Sequence, residues 1–210
     1  DFAQNLHPIL TIYDAGGVNT LDLSGYATPS TINLNSGSFT SCNSMTNNIA
    51  IAYNTAIQKA IGGSGSDVIT GIALNNLIDG GSGRDTDVCS GVAIDYMVCL
   101  STDGLLVKDK VSARDGTDTL KSIESIQFSN LTNTINYQSG GAGVTYTKFV
   151  GSVSQYSAWV GAAGVGVVDS VANRDNIQVL SDIERATFTD FNLAFDTAGV
   201  AGQGYRLYKA

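Results

Sequence analysis

The chain has 210 residues, of which 43% are hydrophobic and 14% charged, with 24 glycines and only two prolines. This composition excludes a disordered chain and is typical of a turn-rich β protein. The net charge of −8 argues against nucleic-acid binding, which needs clustered Lys and Arg, and fits carboxylates partly neutralised by bound cations. No run approaches the roughly 18 apolar residues of a transmembrane helix. Without an initiator Met or a signal peptide, the chain is expected to be a piece of a longer product.

The first sixty residues predict short β-strands. Residues 10–25 alternate apolar and polar side chains in two runs around a turn, and residues 31–39 form another alternating run. Residues 49–61 are compatible with a strand or a short helix, and a strand is favoured because Gly62 and Gly63 follow at once. The turn within residues 10–25 offers oxygens to a cation from Asp14, Gly16, Gly17 and Asn19.

A glycine-rich repeat follows. Residues 62–70, GGSGSDVIT, fit the nine-residue repeat Gly-Gly-x-Gly-x-Asp-x-apolar-x, and residues 80–85, GGSGRD, repeat its turn eighteen residues later. Such repeats build calcium-loaded parallel β-rolls. Because Ca²⁺ takes six to eight oxygen ligands, two stacked turns can enclose an ion where one turn cannot. The predicted ligands are Gly63, Gly65 and Asp67 from one turn and Gly80, Ser82 and Asp85 from the other. The alternative is a glycine-rich hairpin that binds nothing.

The stretch LTIYDAGGVNTLDLSGYATPSTINLNSGSF, followed by NIAIAYNTAIQKAIGGSGSDVITG, resembles the C-terminal domain of the serralysins, secreted bacterial zinc metalloproteases with an RTX-type β-roll. The resemblance covers roughly residues 8–85. It implies calcium ligands in the turn of Asp14, Gly16, Gly17 and Asn19 and in both glycine turns. It also implies a calcium-triggered folding module of a protein exported by type I secretion, without proteolytic activity of its own.

Three positions depart from the family pattern. Asn19 replaces an Asp and Gln58 replaces a ligand Glu, so the first calcium cluster loses negative charge and is expected to be weaker or empty. Asp87 replaces the apolar residue of the second repeat. The roll is therefore expected to end at this point, with about three rungs on each side.

The residues needed for catalysis are sparse. A serralysin protease site needs three histidines in a His-Glu-x-x-His-x-x-Gly-x-x-His helix, and this sequence contains one, His7. The cysteines Cys42, Cys89 and Cys99 form neither a zinc pattern nor an even-numbered disulfide set. Cys89 and Cys99 either pair across neighbouring strands or remain buried free thiols. Residue types alone leave a Ser-Lys hydrolase or a carboxylate pair open. The chain is nevertheless expected not to be an enzyme, although its parent protein is compatible with a metalloprotease.

The C-terminal half contains a duplication. Residues 91–128 and 151–188 align without a gap at an offset of 60, and twelve of the 38 pairs are identical, which indicates a repeated supersecondary unit. The identical residues are Gly91/Gly151, Tyr96/Tyr156, Gly104/Gly164, Val107/Val167, Asp109/Asp169, Val111/Val171, Arg114/Arg174, Asp115/Asp175, Leu120/Leu180, Ile123/Ile183, Glu124/Glu184 and Phe128/Phe188. Arg114–Glu124 and Arg174–Glu184 are predicted to be internal salt bridges, with a binding site as the alternative.

The predicted fold is all-β: a short parallel β-roll with calcium-binding turns, flanked by further strands and two repeated antiparallel β units. The expected domains are residues 1–87 for the roll, 88–130 and 149–195 for the two units, 131–148 for a linker with one strand, and 196–210 for the start of a helical segment.

Two functions fit the sequence. The first is a non-catalytic, calcium-binding module of an exported bacterial protein, which folds outside the cell and supports secretion and stability of a serralysin-like protease. The second is a surface-layer or adhesin-type structural protein that assembles with copies of itself or binds partners in a calcium-dependent way. Both place the chain outside the cell or at its surface, with Ca²⁺ as the ligand and without nucleic acid or a transmembrane segment. An N-terminal protease domain is the expected partner in the first case.

Overall fold

The structure is a computed structural model that describes residues 5–139, 146–161, 163–183, 185–194 and, for the backbone, 206–209. These residues form strands β1 to β21 and two short 3₁₀ turns, Ala93–Asp95 and Val153–Gln155. The strands are Leu10–Ile12, Thr20–Asp22, Thr31–Asn33, Phe39–Thr40, Ile49–Ile51, Lys59–Ile61, Val68–Thr70, Leu77–Asp79, Thr86–Val88, Tyr96–Leu100, Leu105–Asp109, Thr117–Lys121, Ser125–Gln127, Thr132–Ser139, Tyr146–Lys148, Tyr156–Gly161, Gly164–Asp169, Ile177–Ser181, Arg185–Thr187, Phe191–Ala194 and Arg206–Lys209. The prediction of an all-β fold is confirmed.

A parallel β-roll forms the first part of the molecule. Strands β2, β6, β8 and β12 pair in parallel on one side, and β3, β7, β9 and β13 do so on the other. Most of these strands are three residues long, so only the middle side chain points into the core. The prediction that the roll ends at residue 87 is wrong. Strands β12 and β13, from the first repeated unit, extend it to four strands on each side.

The buried middle residues stack in two columns. Leu21, Ala60, Ile78 and Leu120 form one column, and Ile32, Ile69, Asp87 and Ile126 form the other. Asp87 therefore lies between two isoleucines, fully inside the roll, and burial raises the pKa of its carboxyl to about 7. The Cys89 thiol donates a hydrogen bond to this carboxyl, with 3.5 Å between Cys89 Sγ and Asp87 Oδ2. Strand β9, which contains Asp87, still pairs with β7 and β13, so the roll continues beyond this polar residue.

Replacing Asp87 by isoleucine should stabilise the protein. The substitution removes a carboxyl from an apolar column and fills its place with the side chain found on both neighbours, so we expect a gain of about 1–3 kcal/mol in the free energy of unfolding at neutral pH. Urea denaturation measures it, with Asp87→Asn as the variant that removes the charge but keeps the polarity. A loss of stability in Asp87→Ile would show that the column needs the carboxyl.

The two repeated units have the same architecture. In the first, β10, β11 and β12 form an antiparallel meander, and in the second β16, β17 and β18 do the same. The offset of 60 also relates β9 to β15, which pair in parallel with β13 and β19 in equivalent registers. The duplication therefore begins before residue 91, where the sequences TDV and YTK no longer show it.

The stretch predicted to be a linker is part of this architecture. Strand β14 joins the eight-stranded sheet between β13 and β18, and β15 belongs to the second unit. The described residues 131–139 and 146–148 therefore supply two strands, where one was predicted. Strand β21 pairs antiparallel with β20. Residues 206–209 are thus a strand and not the predicted helix, while 196–205 lie outside the described residues.

The buried side chains form two clusters. Among the described residues, the larger extends from Leu21 through the roll and the first unit to Val168, Ile177 and Val179 of the second unit. The smaller surrounds Phe149, Tyr156 and Phe188 in the second unit. Cys42, Cys89 and Cys99 are all buried free thiols. In the part of the chain that the structure describes, no helix has the length and apolar character needed to span a membrane.

Candidate metal centre at the stacked glycine turns

Each strand on one side of the roll is preceded by a polar residue, and these residues form a ladder. The Ser30 N–H donates to Asp67 Oδ1 at 2.6 Å, the Asp67 N–H to Asp85 Oδ1 at 2.7 Å, and the Asp85 N–H to Glu124 Oε2 at 2.7 Å. The three hydrogen bonds are equivalent because the strands that follow these residues, β3, β7, β9 and β13, pair in parallel register. Three carboxylates are consequently stacked at one edge of the roll.

The two glycine turns lie directly against each other. The Ser82 N–H donates to the Gly63 carbonyl oxygen at 3.0 Å. A Cβ atom placed on Gly81 would lie 2.2 Å from that oxygen, and one placed on Gly83 would lie 2.4 Å from the Gly65 oxygen. No side chain fits between turns that approach this closely, which is why both positions are glycine. The six predicted ligand residues are therefore brought together in one pair of turns.

Asp85 is the unusual member of this pair. Its side chain is 1% exposed, and its Oδ2 atom has no hydrogen-bond donor. The pKa of the carboxyl is raised to about 6, mainly by burial and also by the negative charges of Asp67, Glu124 and Asp79, while the hydrogen bond from the Asp67 N–H opposes this rise. A buried oxygen without a donor, surrounded by like charges, is an environment that a bound cation would stabilise.

The oxygen atoms at the stacked turns suit a hard cation that binds backbone carbonyl oxygens as well as carboxylates. Within the described residues, no three side chains from His, Cys, Asp and Glu are grouped so that they could hold a metal. A cation at these turns would therefore depend on backbone oxygens, of which Gly63, Gly65 and Gly80 present theirs at the contact between the turns. Calcium uses this mixture of carboxylate and carbonyl ligands, so the residues present fit Ca²⁺.

The earlier predicted turn is placed differently. Asp14, Gly16 and Gly17 are exposed, and Asp14 Oδ1 accepts a hydrogen bond from the Gly16 N–H within its own turn. Asn19 is half-buried, and its N–H donates to Gln58 Oε1 at 2.8 Å, while the Asp14 N–H donates to Thr55 Oγ1 at 3.3 Å. Both ends of this turn therefore contact residues 55–58, and its role as a calcium site stays a prediction.

The opposite edge of the roll carries fewer charges. There the residues that precede or align with the strand starts are Asn19, Gln58, Asn76 and Asp118, and the Asn76 N–H donates to Asp118 Oδ1 at 2.7 Å. Burial raises the pKa of Asp118 to about 8. With three amides and one carboxyl, this edge carries fewer carboxyl groups than the edge with Asp67, Asp85 and Glu124.

Sequence reasoning missed Glu124 and Asp118 as members of these ladders. Glu124 was assigned to a salt bridge with Arg114, and that assignment is wrong. Arg114 instead makes a bidentate contact with Asp109, at 2.6 Å from both Nε and Nη2, and reaches Asp95 at 3.1 Å. A usable signal was available, because Glu124 immediately precedes the triplet Ser-Ile-Gln with an apolar centre, as Asp67 precedes Val-Ile-Thr.

The identical residues of the two repeats form matching structural clusters. The hydroxyl of Tyr96 accepts the Gly91 N–H and donates to Asp115, and Tyr156 does the same with Gly151 and Asp175. Arg174 holds Asp169 in the same bidentate contact that Arg114 makes, and each guanidinium lies over the ring of its tyrosine. Glu184, the other predicted arginine partner, lies outside the described residues. These clusters explain the conspicuous identity of the repeats by internal hydrogen bonding.

Comparison with known proteins agrees with this architecture. A sequence model of the family described as Peptidase M10 serralysin C terminal matches residues 3–156. Serralysin C of Dickeya chrysanthemi is 46% identical over 61 residues, which are 29% of this chain and 13% of the relative. Serralysin G of the same organism is 46% identical over 71 residues, 34% of this chain and 15% of the relative. Metalloprotease AprA of Pseudomonas entomophila is 42% identical over 70 residues, 33% of this chain and 14% of the relative.

The matched segment is thus a small part of each relative. Since the family model covers most of the chain and the roll predicted by the resemblance is present, the chain belongs to the serralysin C-terminal family.

Proposed function

We propose that this chain is a non-catalytic calcium-binding module whose folding depends on Ca²⁺. The observation that supports it best is the buried Asp85 Oδ2 atom, which lacks a donor at the edge of two stacked glycine turns. Asp67 and Asp85 would supply the carboxylate ligands, and the carbonyls of Gly63, Gly65, Gly80 and Ser82 the remaining oxygens. The exposed turn of Asp14, Gly16, Gly17 and Asn19 would be a second, weaker position.

The mechanism is a balance of charge. The charges of Asp67, Glu124 and Asp79 lie close enough in the folded chain to raise the pKa of Asp85. Folding alone therefore brings negative charges together at a cost. Bound Ca²⁺ supplies the compensating positive charge. A ligand that binds only the folded form stabilises it by RT ln(1 + [L]/Kd), or about 1.4 kcal/mol per site when calcium is at ten times Kd. Extracellular calcium modules bind with Kd of about 10⁻⁴–10⁻³ M.

This range suits a protein exported from bacteria by type I secretion. In cytosol with little calcium the carboxylates repel and the chain stays unfolded for export, and outside the cell millimolar calcium favours the roll. By its family, the chain would be attached to a protease domain that precedes it, and would support that domain's secretion and stability. The single histidine, His7, leaves this chain without the three imidazoles of a serralysin zinc site, so proteolysis would belong to the preceding domain.

Removal of calcium is the direct test of this proposal. We expect the circular dichroism spectrum of the chain to lose its β signal in EDTA and to regain it when excess Ca²⁺ is returned. An unchanged spectrum after complete chelation would contradict the proposal. A casein assay on the same sample is expected to show no cleavage.

A further inference from the structure

The turn at residues 122–124 stacks on the second glycine turn in the roll. It has the same geometry as the glycine turns but lacks their glycine sequence. A Cβ on Gly62 would lie 2.3 Å from the Gly80 carbonyl oxygen and 2.4 Å from Asp67 Oδ2. One turn further, a Cβ on Gly80 would lie 2.2 Å from the Ser122 carbonyl oxygen and 2.5 Å from Asp85 Oδ2. Ser122 therefore stands toward the second glycine turn as Gly80 stands toward the first.

Ser122 and Glu124 are held in this arrangement by backbone conformation and hydrogen bonding. Ser122 adopts φ of +50°, the left-handed conformation that glycine supplies most readily. Glu124 accepts the Asp85 N–H, as Asp85 accepts that of Asp67. The first repeated unit thus adds a third turn with a carboxylate in the position of the repeat aspartate.

The unpartnered oxygen lies at this second junction. Asp67 Oδ2 accepts the Gly63 N–H at 2.7 Å. The equivalent N–H in the next turn, that of Gly81, donates instead to Asp79 Oδ1 at 3.2 Å. Asp85 Oδ2 is left buried without a donor. It lies beside Gly80, as does the Ser122 carbonyl oxygen.

We propose that Asp85, the Ser122 carbonyl and Glu124 form a further Ca²⁺ site, between the second glycine turn and the first repeated unit. This inference rests on the proposed calcium-binding function, and it extends it to residues outside the glycine repeat. The ion would lie between two carboxylates on adjacent turns, with the Ser122 oxygen as a third ligand. Binding there would add a link between the second glycine turn and the first repeated unit, which the pairing of β9 with β13 already joins.

Calcium stoichiometry of the whole chain tests the site. Native mass spectrometry and calorimetric titration with Ca²⁺ would compare wild type, Glu124→Gln and Asp103→Asn. Glutamine keeps an oxygen to accept the Asp85 N–H but removes the charge, and Asp103→Asn makes the same charge change at an exposed carboxyl distant in sequence from the turns. We expect Glu124→Gln to bind one ion fewer, or to lose at least about tenfold affinity at one site, with Asp103→Asn unchanged.

The possible results separate the two proposals. If Glu124→Gln binds as many ions as wild type with the same affinities, the further site is wrong while the glycine-turn function stands. If wild type binds no calcium, both are wrong. If Glu124→Gln fails to fold, a crystal structure of wild type in calcium decides: an ion within about 2.6 Å of Asp85 Oδ2 and a Glu124 oxygen supports the site, and a calcium-loaded glycine pair without it overturns the inference.

Discussion

Replacing Gly81 by alanine is expected to lower the free energy of unfolding by about 2–5 kcal/mol. Gly81 has φ of +90°, where a side chain costs about 1–2 kcal/mol. Its new Cβ would also lie 2.2 Å from the Gly63 carbonyl oxygen. Relief of that clash requires the two turns to separate, which adds about 1–3 kcal/mol and breaks the hydrogen bond from Ser82 to Gly63.

Two other glycines serve as matched controls. Gly17 has φ of +92° but no atom within 4 Å of its Cβ position, and Gly16 has open space without the positive φ. Urea denaturation in saturating calcium should therefore rank the variants, with Gly16→Ala near wild type, Gly17→Ala losing about 1–2 kcal/mol for φ alone, and Gly81→Ala losing most. Equal losses for Gly17→Ala and Gly81→Ala would show that the turns are not in contact as described.

Replacing Arg114 by methionine should cost about 3 kcal/mol. Arg114 donates two hydrogen bonds of 2.6 Å to Asp109, which is 7% exposed. Although burial raises the pKa of Asp109, the Arg114 side chain together with the N–H groups of Val111 and Asp115 holds it below its usual value. Methionine keeps the apolar stem of the side chain but leaves a buried carboxylate without its counter-charge, which is a strongly destabilising change.

The double variant and an exposed arginine make this prediction specific. Arg114→Met with Asp109→Asn should regain part of the lost stability, because no unpaired charge remains. Arg84→Met, at an exposed arginine, should stay within about 0.5 kcal/mol of wild type, and Arg174→Met should repeat the loss in the second unit. Thermal unfolding of these variants is the measurement. If Arg114→Met were as stable as wild type, solvent would have to stabilise the Asp109 carboxylate in place of the guanidinium.

The sequence predicted the roll because its signals are local. The spacing of Gly62 to Asp67 and Gly80 to Asp85, and the alternation in the early strands, each follow from the geometry of one turn or one strand. The same locality explains the error at Asp87. A single polar residue suggested an end of the roll, whereas parallel pairing with β7 and β13 outweighs one unfavourable side chain.

The parts that sequence did not predict depend on contacts between distant residues. Glu124 and Arg114 are ten residues apart with complementary charges, which suggested a pair. The chosen partners follow instead from sheet register, which places Glu124 beside Asp85 and leaves Arg114 beside Asp109. The pairing of β14 with β18 likewise joins residues about forty positions apart, which no local pattern in residues 131–148 reveals.

The most direct test of calcium-coupled folding is a circular dichroism titration of the EDTA-treated chain. Ca²⁺ should restore the β spectrum with a midpoint of about 10⁻⁴–10⁻³ M. Mg²⁺ at the same concentrations should restore much less, because it binds poorly to sites built largely from protein oxygens. A spectrum that is native in EDTA, or that Mg²⁺ restores as well as Ca²⁺ does, would contradict the role assigned to Asp67, Asp85 and the stacked turns.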